Sequence, residues 1–504
     1  MSKTLRPLYP LLLAAPLLLL SACGTQVVNP VTGKTERSVM DEAAEVQEGA
    51  KGHAEVLKEY GVYANPRLQA YVDGLGQKLA AQSHRANLKW TFTVLDSPEI
   101  NAFALPGGYV YVTRGIMAYL ESEAELAGVM GHEIGHVTAR HGAQRATRQQ
   151  AAGIGVLAAS VLGAVLEAGG LSGAGNLASQ VSQTAAAGYI ASYSRDQESQ
   201  ADQLGAEYLS RNHYDPQNMI DVIQVLKRQE QFAADRAKAE GKAAPSGSGW
   251  LASHPANDKR LADIREYAAR YKAQTGYADD GRERYLQAIA GMSFGDSAEQ
   301  GLVRGRNFYH EQLGIALTAP PGWTIQNGQD AILLVNGAAD AALVLRMVPP
   351  KAGSTHEEVI RKVLEPVDGR TERRTIHGLA ATHFTGTVRN QQGQTRPVTL
   401  TLVSGPGERT YWLQHAAKSA EAGQRAQAEL AEAENSFRAL SAADRQAAQP
   451  WSVQAVPYPR GGFAELAKAS PLPAATAEAQ LRLMNGVYGG GPEPRPGAMV
   501  KVVR

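Results

Sequence analysis

The sequence predicts an α+β protein: a mostly helical first half with a small sheet, then an antiparallel α+β domain, then a short C-terminal module. Three observations carry that prediction. Capped amphipathic helical patterns dominate residues 41–275 and enclose only two strand-like stretches. From about Asn307 the pattern changes to strand-like segments at short intervals, interrupted by two helical stretches. Beyond residue 446 a Pro-containing link leads into two short helical patterns and a last apolar strand. A chain of 504 residues has room for two to four domains, and the expected divisions are 1–22, 23–40, 41–275, 276–306, 307–445 and 446–504.

Residues 1–22 place Lys3 and Arg6 before a Leu/Ala/Pro run over 8–20, the layout of a secretory signal peptide. Residues 23–40 form a polar, turn-rich tether, and residues 41–82 read as two amphipathic helices broken near 60–66. Residues 88–95 alternate around Trp90, Phe92 and Val94 and read as a strand. Residues 109–112, after Pro106-Gly107-Gly108, read as another.

Residues 125–141 organise the chemistry, because they contain His132-Glu133-Ile134-Gly135-His136, the pattern HExxH. Ser122 and Glu125 read as a capping box, and Leu126, Val129, Met130, Ile134 and Val137 recur at helical spacing. Four residues apart on a helix, His132 and His136 share a face and can offer imidazole nitrogens to one ion, for which Zn²⁺ is well suited. Glu133 lies between them, beside the ion rather than on it, and is expected to act as general base on the attacking water. Gly128, Gly131 and Gly135 form a stripe that implies close packing against another element.

A second capped pattern supplies a third ligand. Ser194 and Gln197 are spaced as a capping box, and Glu198 and Asp202 then share one helix face. A hydrolytic zinc site uses three protein ligands and one open position, so Glu198 completes a set with His132 and His136, one Zn²⁺ per chain. Asp202, one turn on, is expected to accept from the outward N–H of a ligating histidine.

With these residues in view the chain resembles the HtpX-like and CAAX-prenyl-protease-type zinc metallopeptidases, family forty-eight of the metallopeptidases. The likeness rests on HEIGH followed by Ser194-Arg195-Asp196-Gln197-Glu198-Ser199-Gln200-Ala201-Asp202, with Gln200 where an acidic residue is commonest. It extends to residues 101–112 as an edge hairpin, and to Ser253-His254-Pro255 with Arg260 six residues beyond the histidine. The resemblance implies a gluzincin-type peptidase domain over 41–275 and endopeptidase activity on proteins. It also implies that His254 and Arg260 approach the site and hold substrate or the oxyanion. An exposed strand beside such a cleft can take an extended peptide by main-chain hydrogen bonding, and Asn101 and Tyr109 are expected to line it.

The remaining segments are less specific. Residues 151–175 are small, apolar and glycine-rich; they read as a helical hairpin or lid over the cleft, with an interfacial membrane helix as the alternative. Residues 235–249 read as a loop. In 307–445, strands are expected at 315–318, 331–335, 342–348, 380–388, 398–403 and 410–415, and helices at 354–364 and 419–440. This domain resembles accessory domains of photosystem-associated lumenal proteins in its Pro320-Pro321-Gly322-Trp323 opening. The tail resembles a degenerate LysM glycan-binding module through Leu481-Arg482-Leu483-Met484-Asn485-Gly486 and Pro496-Gly497-Ala498-Met499-Val500. Either peptidoglycan contact or a structural cap on the α+β domain follows.

Leu20-Ser21-Ala22-Cys23 resembles a bacterial lipobox, and Cys23 is the sole cysteine. Lipidation of Cys23, with Gly24 rather than aspartate after it, implies attachment to the outer membrane on the periplasmic side. A formal net charge of +1 argues against a nucleic-acid partner. The expected function is therefore a periplasmic zinc endopeptidase acting on misfolded or stalled envelope proteins, with the outer-membrane assembly machinery as a partner by resemblance. The alternative is an envelope chaperone or peptidoglycan-binding scaffold whose proteolysis is latent.

Overall fold

The computed structural model describes residues 25–38, 40–151, 193–239, 241, 250–254, 258–272, 277, 279–328, 331–389 and 393–504. The leader, Cys23, all of the expected lid beyond Ala151 and most of the 235–249 loop lie outside the described residues.

A short hairpin, β1 (Thr25–Val28) and β2 (Thr35–Ser38), opens the fold. Helices α1 (Glu42–Tyr60) and α2 (Pro66–Ala81) follow, capped by Asp41 and Asn65 and separated by the expected break. The three strands β3 (Thr91–Leu95), β4 (Ala102–Leu105) and β5 (Tyr109–Thr113) form a sheet in the order β3-β5-β4, with β3 parallel and β4 antiparallel to β5. One helical turn, α3 (Arg114–Met117), leads to the central helix α4 (Glu123–Thr138), every residue of which is buried. Ser122 caps it by accepting from the Glu125 amide, and α5 (His141–Ala151) continues the chain beyond it.

Helix α6 (Arg195–Arg211) carries a complete Ser194–Gln197 capping box and packs along α4. The expected glycine stripe is the reason they approach so closely. A Cβ on Gly135 would stand 2.9 Å from the Ala201 carbonyl oxygen, and one on Gly131 would meet Leu209 at 3.1 Å. Gly205 on α6 answers from the other side, where an added Cβ would stand 3.1 Å from the His132 backbone nitrogen. Backbone against backbone at this spacing fixes the relative height of His132, His136 and Glu198. Helices α7 (Asn218–Ala239), α8 (Trp250–Ser253), α9 (Asp258–Lys272) and α10 (Arg282–Ile289) complete this half.

The second half is built on a seven-stranded antiparallel sheet, with a helix resting Leu430 and Ala433 on it and Phe437, just beyond that helix, in the same core. Its outermost strand, Pro366–Ile376, lies where no strand was expected, and the expected helix over 354–364 is instead one α-turn followed by a π-turn. The tail folds as strand Trp451–Pro457, helix Gly462–Lys468, helix Ala477–Met484 and strand Met499–Val503, the two strands pairing antiparallel. It is no cap on the accessory sheet: Phe463, Leu481, Met484, Val500 and Val502 join the same apolar core as α4 and α7. The Lys501 ammonium is wholly buried there and donates to the carbonyls of Ala118 and Leu120, just ahead of α4. Among the described residues no helix is long and apolar enough to cross a membrane.

Candidate metal centre

Helical spacing brings His132 and His136 to one face of α4, and their Nε2 atoms stand 3.0 Å apart. Glu198, one turn into α6, brings its carboxylate to 3.6 Å from His132 Nε2 and 3.5 Å from His136 Nε2. His254 arrives from the end of α8, with Nδ1 at 2.9 Å from Glu198 Oε1 and 3.2 Å from His132 Nε2. One ligand atom from each of these four residues lies within 4.8 Å of the others, and all four side chains are buried.

The donor chemistry fits a divalent ion held by nitrogen and oxygen. Asp202 Oδ1 lies 2.9 Å from His132 Nδ1; a carboxylate accepts, so Nδ1 carries the proton and Nε2 presents a lone pair to the cluster. Glu198 Oε2 is buried without an aligned hydrogen-bond donor, although the Arg260 guanidinium approaches to 2.8 Å. Glu133, fully buried, receives the Trp250 indole N–H on Oε1 at 3.0 Å, while its Oε2 has no hydrogen-bond partner among the described residues. One oxygen is thus anchored and the other is free to take a proton.

The electrostatics favour deprotonated ligands. Burial alone would raise the Glu198 carboxyl, but His254, His136 and Arg260 outweigh it and hold it well below the usual carboxylate range. Burial holds the His136 imidazole well below its usual value, against the pull of Glu198. At Asp202 burial is outweighed by Arg260 and His132, and the carboxyl is lowered. His254 goes the other way, since Glu198 and Glu133 together overcome its burial and raise it.

The expected residues do not all take their expected places. Arg260 is committed rather than aimed at substrate: its Nε and Nη2 donate to Asp202 at 2.6 and 2.8 Å, and its Nη1 to the His254 carbonyl at 3.0 Å. It braces the ligands' supports. Asn101 is buried beside the site, next to Ile100, whose carbonyl accepts from the Trp250 amide at 2.8 Å; its Oδ1 has no partner among the described residues. Tyr109 is not brought to the cluster. Successive strand residues alternate in direction, so Val110 and Val112 face the core of α4 while Tyr109 and Tyr111 face α1, where Tyr109 stacks on His53 at 4.8 Å.

Three neighbours escaped the sequence. Trp250 stacks on His254 with ring centroids 4.6 Å apart, and its i, i+4 spacing to that residue was the available signal. Tyr193, immediately before the α6 cap, stacks on His136 at 3.8 Å, and burial pushes its hydroxyl up to about 12. His141 meets the back of His136, Nδ1 to Nδ1, at 2.9 Å.

Two imidazoles one turn apart on a buried helix, a glutamate from the next helix, and a second glutamate whose Oε2 has no hydrogen-bond partner among the described residues make the arrangement that HExxH–Glu metallopeptidases use. Residues 66–268 match the description Peptidase family M48. That segment is similar to family M48, whose members are metal-dependent peptidases. It is 32% identical over 212 residues to a beta-barrel assembly-enhancing protease of Yersinia pestis, covering 41% of this chain and 40% of that one. The protein of that name in Escherichia coli (strain K12) is 29% identical over 239 residues, 47% of each chain. The mitochondrial metalloendopeptidase OMA1 of Schizosaccharomyces pombe is 31% identical over 221 residues, covering 43% of this chain and 58% of that one. The chain spans about half the length of these relatives. The solution structure of cyanobacterial PsbP from Synechocystis covers 28% of this chain at 10% identity and a TM-score of 0.21, too low to carry a fold assignment.

Proposed function

We propose that the protein is a zinc-dependent endopeptidase of the bacterial periplasm, held to the outer membrane by lipid on Cys23, that degrades misfolded or stalled envelope proteins. The observation that carries the catalytic part is the convergence of His132, His136 and Glu198 beside a Glu133 oxygen with no hydrogen-bond partner among the described residues. The names of the bacterial relatives support the envelope setting.

His132, His136 and Glu198 would hold the ion, which would supply polarisation of the scissile carbonyl and of the attacking water. Glu133 takes the proton of the attacking water on Oε2, while Trp250 fixes Oε1, and later returns it to the leaving amine. Asp202 and Arg260 keep the ligands oriented. His254 stands within ligand range, so it must draw back from the cluster before water and substrate can enter. The edge of β4, unpaired among the described residues and packed against α4, offers main-chain groups to an extended peptide, and Asn101 at its head is placed to meet a substrate amide. The helix pair between two paired strands in the tail supports a glycan-contacting module, with peptidoglycan as its ligand, and the outer-membrane assembly machinery is the partner the bacterial relatives' names suggest.

The test is degradation of casein and of urea-denatured outer-membrane protein by the mature chain and by Glu133→Gln. Cleavage by wild type alone supports the proposal. Equal activity of the two would refute it, and full rescue of envelope quality control by Glu133→Gln would favour a chaperone.

A further inference from the structure

Among the described residues no carboxylate stands behind the second ligand histidine, and what stands there instead leads out of the peptidase domain to the N-terminal hairpin. We propose that hairpin β1–β2 is a working part of the metal centre: Asn29, acting through Gln200 and His141, sets the tautomer of His136.

With both imidazoles neutral, the direction of each hydrogen bond follows from the one before it. Asn29 Oδ1 accepts the backbone N–H groups of Val31 at 2.9 Å and Thr32 at 3.2 Å, so its other atom is the amide nitrogen, a pure donor. That nitrogen lies 3.1 Å from Glu36 Oε1 and 2.9 Å from the Gln200 side chain. Facing a donor, Gln200 presents its carbonyl oxygen. The same oxygen lies 3.1 Å from His141 Nε2, which must therefore carry a proton. A neutral imidazole has one N–H, so His141 Nδ1 is an acceptor, and it sits 2.9 Å from His136 Nδ1. His136 therefore donates from Nδ1 and turns an unprotonated Nε2 to the ion. The result is the tautomer that Asp202 imposes on His132, reached by a different route.

Gln200 explains why the hairpin is needed. A carboxylate at that position could only accept and would fix His141 unaided. An amide can turn over, present its NH₂ to His141 and reverse each tautomer down the line, putting a proton on His136 Nε2 where the ion must bind. Asn29 is what prevents the turn, and it is 2% exposed. The hairpin is held in place by a second contact, since Glu36 accepts from Gln144 on α5, and Gln144 accepts in turn from Gln197 on α6 at 2.9 Å. Residues of the hairpin and of both helices that flank the ligands thus form one polar layer behind His136.

The inference rests on the metal-site reading, and the test separates the two. Zinc affinity of the mature chain is measured by competition with a fluorescent chelator, with thermal unfolding of the metal-free protein as a control. Asn29→Ala is expected to bind zinc about 10-fold to 100-fold more weakly at nearly unchanged metal-free stability. Adding Gln200→Glu to Asn29→Ala should restore affinity to within about threefold, because a carboxylate needs no orientation. Should Asn29→Ala fail to fold, Gln200→Leu, which leaves the hairpin turn intact, is expected to lose affinity to the same degree. A double variant no better than Asn29→Ala, or single variants within twofold of wild type, overturns the relay. Wild type without bound zinc would instead overturn the metal site itself.

Discussion

Replacing Asp202 by Asn tests the support of the metal centre with almost no change of shape. The carboxylate is 1% exposed and accepts three hydrogen bonds, from Arg260 Nε at 2.6 Å, Arg260 Nη2 at 2.8 Å and His132 Nδ1 at 2.9 Å. An Asn amide has one acceptor and one donor atom, so at least one of these donors must face an NH₂ group. It also removes the charge opposite a buried guanidinium. Breaking a buried ion pair from one side costs about 3–5 kcal/mol, and that is the expected loss of metal-free stability in urea unfolding. The lost acceptor behind His132 should weaken zinc binding by about 10-fold to 100-fold, or about 1.4–2.7 kcal/mol. Because the partners outweigh burial and lower the Asp202 pKa in the folded state, its contribution is present above the unfolded value of 3.8 and disappears as pH falls through the folded one. The gap between wild type and Asp202→Asn should therefore be constant near neutrality and close below about pH 4. A folded variant with less than about 1 kcal/mol of lost stability and zinc affinity within twofold of wild type would refute the assignment.

The glycine stripe predicts two opposite signs: Gly135→Ala should destabilise by about 1–2 kcal/mol, because its Cβ meets the Ala201 carbonyl oxygen at 2.9 Å and outweighs the helical preference for alanine. Gly128→Ala, whose nearest neighbour stands at an ordinary 3.5 Å, should be neutral or stabilising by up to about 1 kcal/mol; equal shifts in thermal unfolding would contradict the packing argument. Burial lowers Lys501 to about 8 from 10.5, so wild type should lose about 3 kcal/mol relative to Lys501→Met as pH falls from about 10.5 to about 8, with no further change from this group below that. A pH-independent difference between the two would show that the ammonium is not desolvated. His254→Ala should keep one zinc per chain and cleave casein at least as fast as wild type, since three ligands remain. A fall of about 100-fold or more in kcat with zinc retained would instead make His254 an oxyanion donor.

The parts of this site that could be read from sequence are those fixed by local geometry. His132 and His136 meet because four residues make one helical turn, and Glu198 is placed by a cap four residues before it. The glycine stripe signalled a close neighbour without naming it. Trp250, His141 and Gln200 join the site only through the tertiary approach of α8, α5 and α6; the i, i+4 spacing of Trp250 and His254 pairs those two side chains but does not bring them to Glu133 or the ligands. Tyr109 misleads because β5 is covered on both faces, by α4 and by α1, so its alternation carries no polar contrast to tell the faces apart. The Pro366–Ile376 strand was hidden by its composition: as an exposed sheet edge it is rich in charged residues, which suit a solvated edge. The tail's position against α4, fixed by Lys501 and its apolar neighbours, is likewise a product of long-range packing.

The central claim is that one ion, held by His132, His136 and Glu198, works with Glu133. Titrating metal-stripped mature protein with zinc while following casein cleavage tests it most directly. The account predicts that activity rises linearly and saturates at one equivalent, and that Glu133→Gln takes up the same equivalent and stays inactive. Saturation at another stoichiometry, activity in the metal-stripped protein, or cleavage by zinc-loaded Glu133→Gln would contradict it.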